Sequence, residues 1–321
     1  MAAINLLNIE PHKVSRDLSG YITFIYGAYK TGKTTLATQM DGALLLAFER
    51  GYNALPGVRP IDVANWSEMR QIYRELKKPE VQNVYKAVVV DTIDVAADKC
   101  KKYICQQNDI EELGDLPYGK GWSKFKDEFN EIFRGLTQLG YAVFFIGHDK
   151  EAKDNDGNIT NIRSALSNST REVIAGMADI YGYAKQAGAD RNSILVLRDK
   201  TGFIECGCRF KYVPNEIDMN YQCLVNTIHE AIDKEAMEHG GKYVTDEPIK
   251  PRAEKEYDFD AMITQINEYI GTLMSLNQSN SIKITAIIEK YLGKGKKVAE
   301  CTPTQCEQLE LIQQDLAELC K

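Results

Sequence analysis

Gly27 and Gly32 stand five positions apart, and Lys33, Thr34 and Thr35 follow the second glycine without a break. The residues before Gly27 are apolar, β-branched or aromatic, and those after Gly32 favour helix. The bend therefore lies between a strand expected at 22–26 and a helix expected at 33–40. The order strand, G-x-x-x-x-G-K-T, helix leaves this segment little freedom. In such a bend successive backbone N–H groups converge, and the helix N-terminus adds partial positive charge behind them. Phosphate is the group that fits. Lys33 is placed to bridge two phosphates, and the Thr34 hydroxyl to ligate magnesium. Gly27, Lys30, Thr31, Gly32, Lys33, Thr34 and Thr35 form the expected nucleotide-binding set, with ATP and Mg2+ as ligands. Lys30 is an extra cation inside the loop, and both directions, toward phosphate or outward, are open to it.

A phosphate loop of this kind calls for an acid at the tip of a nearby hydrophobic strand. Asp91 closes the run "KAVVVD" and is the expected second metal-shell residue beside Thr34. Asp94 follows one turn later, where helix capping is its simplest use. Glu49 ends "ALLLAFE", the strand directly after the P-loop helix. A carboxylate there suits the general base or water-positioning group that hydrolysis needs; a solvated strand-end glutamate is the alternative.

Apolar runs at 22–26, 43–48, 86–91, 142–147 and 193–197 read as strands, with 203–213 as a shorter hairpin. Several are continuously hydrophobic, as strands covered on both faces must be. Helical stretches at 66–77, 94–107 and 121–139 lie between them, so the chain reads as α/β with a mostly parallel sheet and right-handed crossovers. Composition shifts near residue 240. A Gly-, Pro- and charge-rich stretch at 241–260 reads as a linker between a core at 1–240 and an all-helical module at 261–321. In that module Ile263, Ile266, Ile270 and Leu273, then Ile284, Ile287, Ile288 and Tyr291, then Leu309, Ile312, Leu316 and Leu319 recur at helical spacing. Thr302-Pro303-Thr304-Gln305 is a helix start, with a capping residue, proline at the first position and glutamine three after the cap.

The order P-loop, "AFER", "VVVDTID", "FFIGH" is similar to the RecA-like ATPase core. More narrowly, "GAYKTGKTTLA", "YGKGWSKFKDEFNEIFRGL" and "GYAVFFIGHDK" resemble phage-encoded RecA-like ATPases of single-strand annealing and recombination, over about residues 20–215. The resemblance implies Glu49 as the catalytic glutamate and His148, after the later strand, as a γ-phosphate sensor; a structural histidine is the alternative. It implies that Arg198 and Lys200 reach a neighbouring subunit's nucleotide, where an exposed charge pair is the alternative. It further implies single-stranded DNA as partner, a single-strand-binding protein alongside, and a homo-oligomeric ring or filament.

Charge bears on the DNA expectation. The chain carries 39 basic and 46 acidic residues, a net charge of −7, so any nucleic-acid contact must be a local strip. The segment after His148 has Lys150, Lys153, Arg163 and Arg171 among at least as many acids, with the Gly, Asn and Ser content of a flexible loop. Lys294, Lys296 and Lys297 in "GKGKK" form a second candidate strip, with simple solvation as the alternative. An ATP-gated assembly protein without a DNA role is the competing reading; a helicase or a small-molecule kinase is further off. The eight cysteines lack metal-finger spacing and read as thiols of a reducing compartment. No bilayer-length apolar run or secretion signal is evident, so a cytoplasmic location is expected.

Overall fold

The computed structural model describes residues 7, 9–186, 193–250 and 257–320. The chain divides into two compact units, Met1–Arg252 and Ala253–Lys321. In order along the first unit lie β1 (Val14–Ser15), β2 (Ile22–Gly27), α1 (Lys33–Ala37), β3 (Ala43–Ala47), β4 (Pro60–Asp62), α2 (Trp66–Leu76), α3 (Pro79–Val84), β5 (Ala87–Asp91), α4 (Ile93–Gln107) and α5 (Lys120–Gln138). There follow β6 (Ala142–Gly147), β7 (Asp149–Lys153), β8 (Ile159–Ser164), α6 (Asn168–Met177), β9 (Ile180–Lys185), β10 (Ile194–Val196), β11 (Gly207–Cys208), β12 (Glu216–Asp218), α7 (Tyr221–Glu238) and β13 (Val244–Thr245).

The main sheet has the order β12-β10-β9-β2-β6-β5-β3-β4, with β11 also paired to β9. From β9 to β4 all neighbours are parallel, whereas β10, β11 and β12 pair antiparallel. The continuous apolar runs have a direct cause. Val88 and Val90 join one core with Trp66, Phe129 and Phe133, while Ala87 and Val89 join another with Leu36, Leu224 and Ile228. Successive side chains point to opposite faces, and helices cover both. The result is a mixed α/β fold of the P-loop NTPase kind.

Several segments depart from the expectations. The segment after His148 is an antiparallel hairpin, β7 with β8, closed around Asp154–Asn158. Its tip is polar because it stands exposed, while the far end of β8 packs Ile162 against the first core and the ladder satisfies the backbone. Of the hairpin expected at 203–213 only Gly207–Cys208 is strand, and it pairs with β9 instead of folding back on itself. Strand β9, central in the sheet, and helix α7 were not anticipated. The stretch expected as a linker from 241 begins inside the first unit: β13 pairs in parallel with β1. Residues 251–256 of that stretch lie outside the described residues.

The second unit holds α8 (Phe259–Leu276), α9 (Asn280–Leu292) and α10 (Cys306–Leu319). Their apolar stripes meet in a core of Met262, Ile266, Leu273, Ile284, Leu309, Ile312 and Leu316. Thr302 and Gln305 form a reciprocal capping box before α10. No helix among the described residues is long and apolar enough to cross a membrane.

Candidate nucleotide site

The register of the sheet builds the site. Gly27 lies opposite Ala184, Tyr26 opposite Gly147, Asp91 opposite Ile146, and Ala47 opposite Asp91. Strands β9, β2, β6, β5 and β3 therefore end at one level, on the edge where the chain leaves β2 for α1. From β2 the chain crosses past β6 and β5 to reach β3, while β9 flanks β2 on the other side. Such a reversal opens a crevice beyond the strand ends. Here it is a cleft of about 500 Å³, lined by the phosphate loop together with Glu49, Asp91, Thr92 and His148.

Two glycines of the loop are dictated by space and backbone. A Cβ on Gly27 would meet the Ala184 carbonyl oxygen at 2.4 Å. Gly32 caps α1 with φ +89, left-handed backbone that favours glycine. Lys33 is buried, and its ammonium donates to the carbonyl oxygens of Gly27 at 2.8 Å and Ala28 at 2.7 Å. Burial pulls its pKa down, against the pull of Asp91 and other nearby carboxylates. The Thr34 hydroxyl donates to Asp91 at 2.7 Å. Burial raises the Asp91 carboxyl, which the Thr34 bond and Lys33 oppose.

Glu49 is aimed by its backbone. The N–H groups of Phe48 and Glu49 both donate to the Asp91 carbonyl, at 2.7 and 3.2 Å, which fastens the end of β3 onto β5. Burial raises the Glu49 carboxyl above its ordinary value. His148 lies across the cleft, with Nε2 3.7 Å from Glu49. Its other ring nitrogen, Nδ1, is 2.5 Å from Asp94, whose carboxylate also accepts the His148 backbone N–H at 3.3 Å. The bond to Asp94 raises the His148 pKa, so the ring favours its charged form. Asp94 is therefore a histidine partner and not the helix cap expected of it; the residue at the cap of α4 is Thr92, which makes no side-chain capping bond.

The structure brings Lys30, Thr31, Gly32, Lys33, Thr34, Thr35, Glu49, Asp91 and His148 together around one cleft. It does not bring Arg198 and Lys200 there. Strand β10 runs antiparallel, with Ile194 opposite Lys185 and Val196 opposite Tyr183, so its end leads away from the phosphate-loop edge. Arg198 instead donates to the Phe210 carbonyl at 2.7 Å, and Lys200 is exposed. Four further residues line the cleft without having been expected there: Tyr29, Gly51, Leu55 and Thr92. Tyr29, largely exposed on the loop, packs its ring 4.4 Å from that of His148. Thr92 has a buried hydroxyl with no hydrogen-bond partner. For Tyr29 the available signal was an aromatic two residues past Gly27; for Thr92 it was adjacency to Asp91.

The donors at this pole are oxygens, the Thr34 hydroxyl and the Asp91 carboxylate, with the unpaired Thr92 hydroxyl beside them. That set suits a hard divalent cation such as magnesium. A phosphate loop at the edge of a largely parallel sheet, facing an acid on the Asp91 strand and a second acid one strand further, defines a P-loop ATPase-type domain. Residues 19–212, well over half of the chain, match the family described as AAA domain, and the chain belongs to that family. It is also 30% identical, over 331 aligned positions covering 99% of each protein, to the SPbeta prophage-derived uncharacterized protein YorG of Bacillus subtilis (strain 168).

Proposed function

We propose that the protein hydrolyses ATP and couples turnover to single-stranded DNA in phage-type recombination or strand annealing. The observation that carries the hydrolytic part is Glu49, held by the Asp91 carbonyl at the mouth of the cleft that contains Lys33 and Thr34. In this reading the loop amides and Lys33 take the β- and γ-phosphates, and Lys33 exchanges its bonds to the Gly27 and Ala28 carbonyls for phosphate oxygens. Thr34 and Asp91 would hold magnesium, which would supply positive charge beside the phosphate oxygens. Glu49 orients the attacking water and accepts its proton. His148, whose pKa Asp94 raises, faces the charge that develops on the γ-phosphoryl group.

Three features support the DNA part. The residues that resemble RecA-like annealing ATPases include the cleft itself. The relative that spans the chain end to end is described as prophage-derived. Finally, the exposed hairpin β7–β8 starts at the residue after His148 and is closed at its base by the Ala165 N–H bonded to the His148 carbonyl at 2.8 Å. A strand ordered on that hairpin would act on the backbone that carries the sensing ring. Arg198 and Lys200, which do not line their own cleft, are assigned in this reading to the nucleotide of a neighbouring copy in a ring or filament.

The deciding experiment measures ATP turnover by the full chain with and without single-stranded DNA at low salt. A severalfold rise on adding DNA is expected. No rise together with no DNA binding overturns the DNA part, and nucleotide-dependent assembly without DNA would favour the ATP-gated assembly protein. Absence of turnover under every condition overturns the hydrolytic part.

A further inference from the structure

Charge is segregated within the helical unit. Between residues 257 and 320 all five basic side chains (Lys283, Lys290, Lys294, Lys296 and Lys297) fall on α9 and the turn after it, in the window 280–297. Nine acids lie in the same span, and only Glu289 falls inside that window. The window therefore carries five positive charges against one negative, a net of +4, and the rest of the unit a net of −8. In a chain of net charge −7 this is a local inversion of sign.

The turn is built to present those lysines. Gly293 and Gly295 have φ of +96 and +76, left-handed backbone that folds the chain back on α9. Glu289 is drawn onto the turn, accepting the Gly295 N–H at 2.7 Å, and the Gly293 carbonyl accepts the Lys296 N–H at 3.2 Å. The one acid of the window is thus used to hold the backbone. Lys283 and Lys290 are seven residues apart, so they share a face of α9, and that face leads to Lys294. Only Lys290 is paired, with Asp315 at 2.9 Å. Lys283, Lys294, Lys296 and Lys297 are exposed and make no ion pair with any described residue.

We infer that α9 and its glycine turn form a second nucleic-acid contact, binding the phosphodiester backbone of single-stranded DNA. The inference rests on the proposed DNA reading and adds to it the element that makes the contact. Lysines spread along one helix face and a fixed turn match a row of phosphates, each taken as a point charge. No exposed aromatic ring accompanies them, so the contact reads backbone and not base.

The test uses the full chain, a fluorescent single-stranded oligonucleotide, and the triple variants K294Q/K296Q/K297Q and K294R/K296R/K297R. The glutamine variant is expected to bind about tenfold or more weakly. Its log–log salt dependence should be shallower by about 2, from three contacts of roughly 0.7 each. The arginine variant keeps wild-type affinity, and ATP turnover without DNA is unchanged in both. Wild-type DNA affinity in the glutamine variant overturns this inference and leaves the function standing. If that variant loses only the binding of poly-glutamate, the surface belongs to an acidic protein partner and the inference is likewise overturned. A wild-type chain that binds no DNA overturns both readings.

Discussion

The parallel and antiparallel parts of the main sheet contribute to the same two cores, yet they treat their polar residues differently. In the parallel part, from β9 to β4, every strand ends at the same edge. Gly27, Asp91, Glu49 and His148, distant in sequence, therefore converge there. In the antiparallel part β10 reverses, and the cation that follows it is carried away from that edge. Arg198 satisfies a carbonyl of its own neighbourhood instead. Strand direction, more than the identity of the residue after a strand, decides whether a side chain can serve the site.

The comparison breaks if a residue of the parallel part proves silent. Lys33→Ala should have the largest effect, with turnover down about a thousandfold and nucleotide binding weakened in parallel, both read by direct binding and steady-state assays. Glu49→Gln should slow turnover about a hundredfold while ATP still binds. A rate equal to wild type would remove the carboxylate from the mechanism. Asp94→Asn should cost about tenfold.

The same Asp94→Asn variant tests the titration of His148. The folded pKa of the ring is raised above its ordinary value of 6.5. The pairing therefore stabilises the fold fully below about pH 6.5 and is lost as pH rises through the raised value. Thermal unfolding across that range should show this decline in the wild type and a flatter profile in Asp94→Asn. At the small end, Arg198→Ala should leave turnover of dilute protein unchanged and lower stability by about 1–2 kcal/mol through the lost hydrogen bond. A large rate loss in dilute protein would show that the antiparallel part serves its own cleft after all.

What the sequence disclosed follows from the same distinction. The phosphate loop and Asp91 were readable because their chemistry is local: a fixed spacing, or an acid closing an apolar run. Glu49 was readable because it ends the next strand. Asp94 was misread because its partner is 54 residues away, and a carboxylate in the first turn of a helix looks like a cap. Strand β9 escaped notice because "IYGYAK" mixes glycine and tyrosines, although Tyr181 and Tyr183 pack on Phe24 and Tyr26 beside the phosphate strand. The β7–β8 hairpin reads as a loose loop because most of it is held by a backbone ladder and only Ile162 packs on the core, which is too little for a hydrophobic pattern. The expectation for Arg198 and Lys200 concerns a neighbouring copy's nucleotide, and their place away from their own cleft follows from the direction of β10, which is not written in the residues of so short a strand.

The bonds that Lys33 makes have a consequence for what the loop admits. Two carbonyls of its own loop accept from the ammonium group, so its buried charge is met by main-chain oxygens of the same loop. A newcomer must compete with those oxygens, and a small anion with few contacts is poorly equipped to do so.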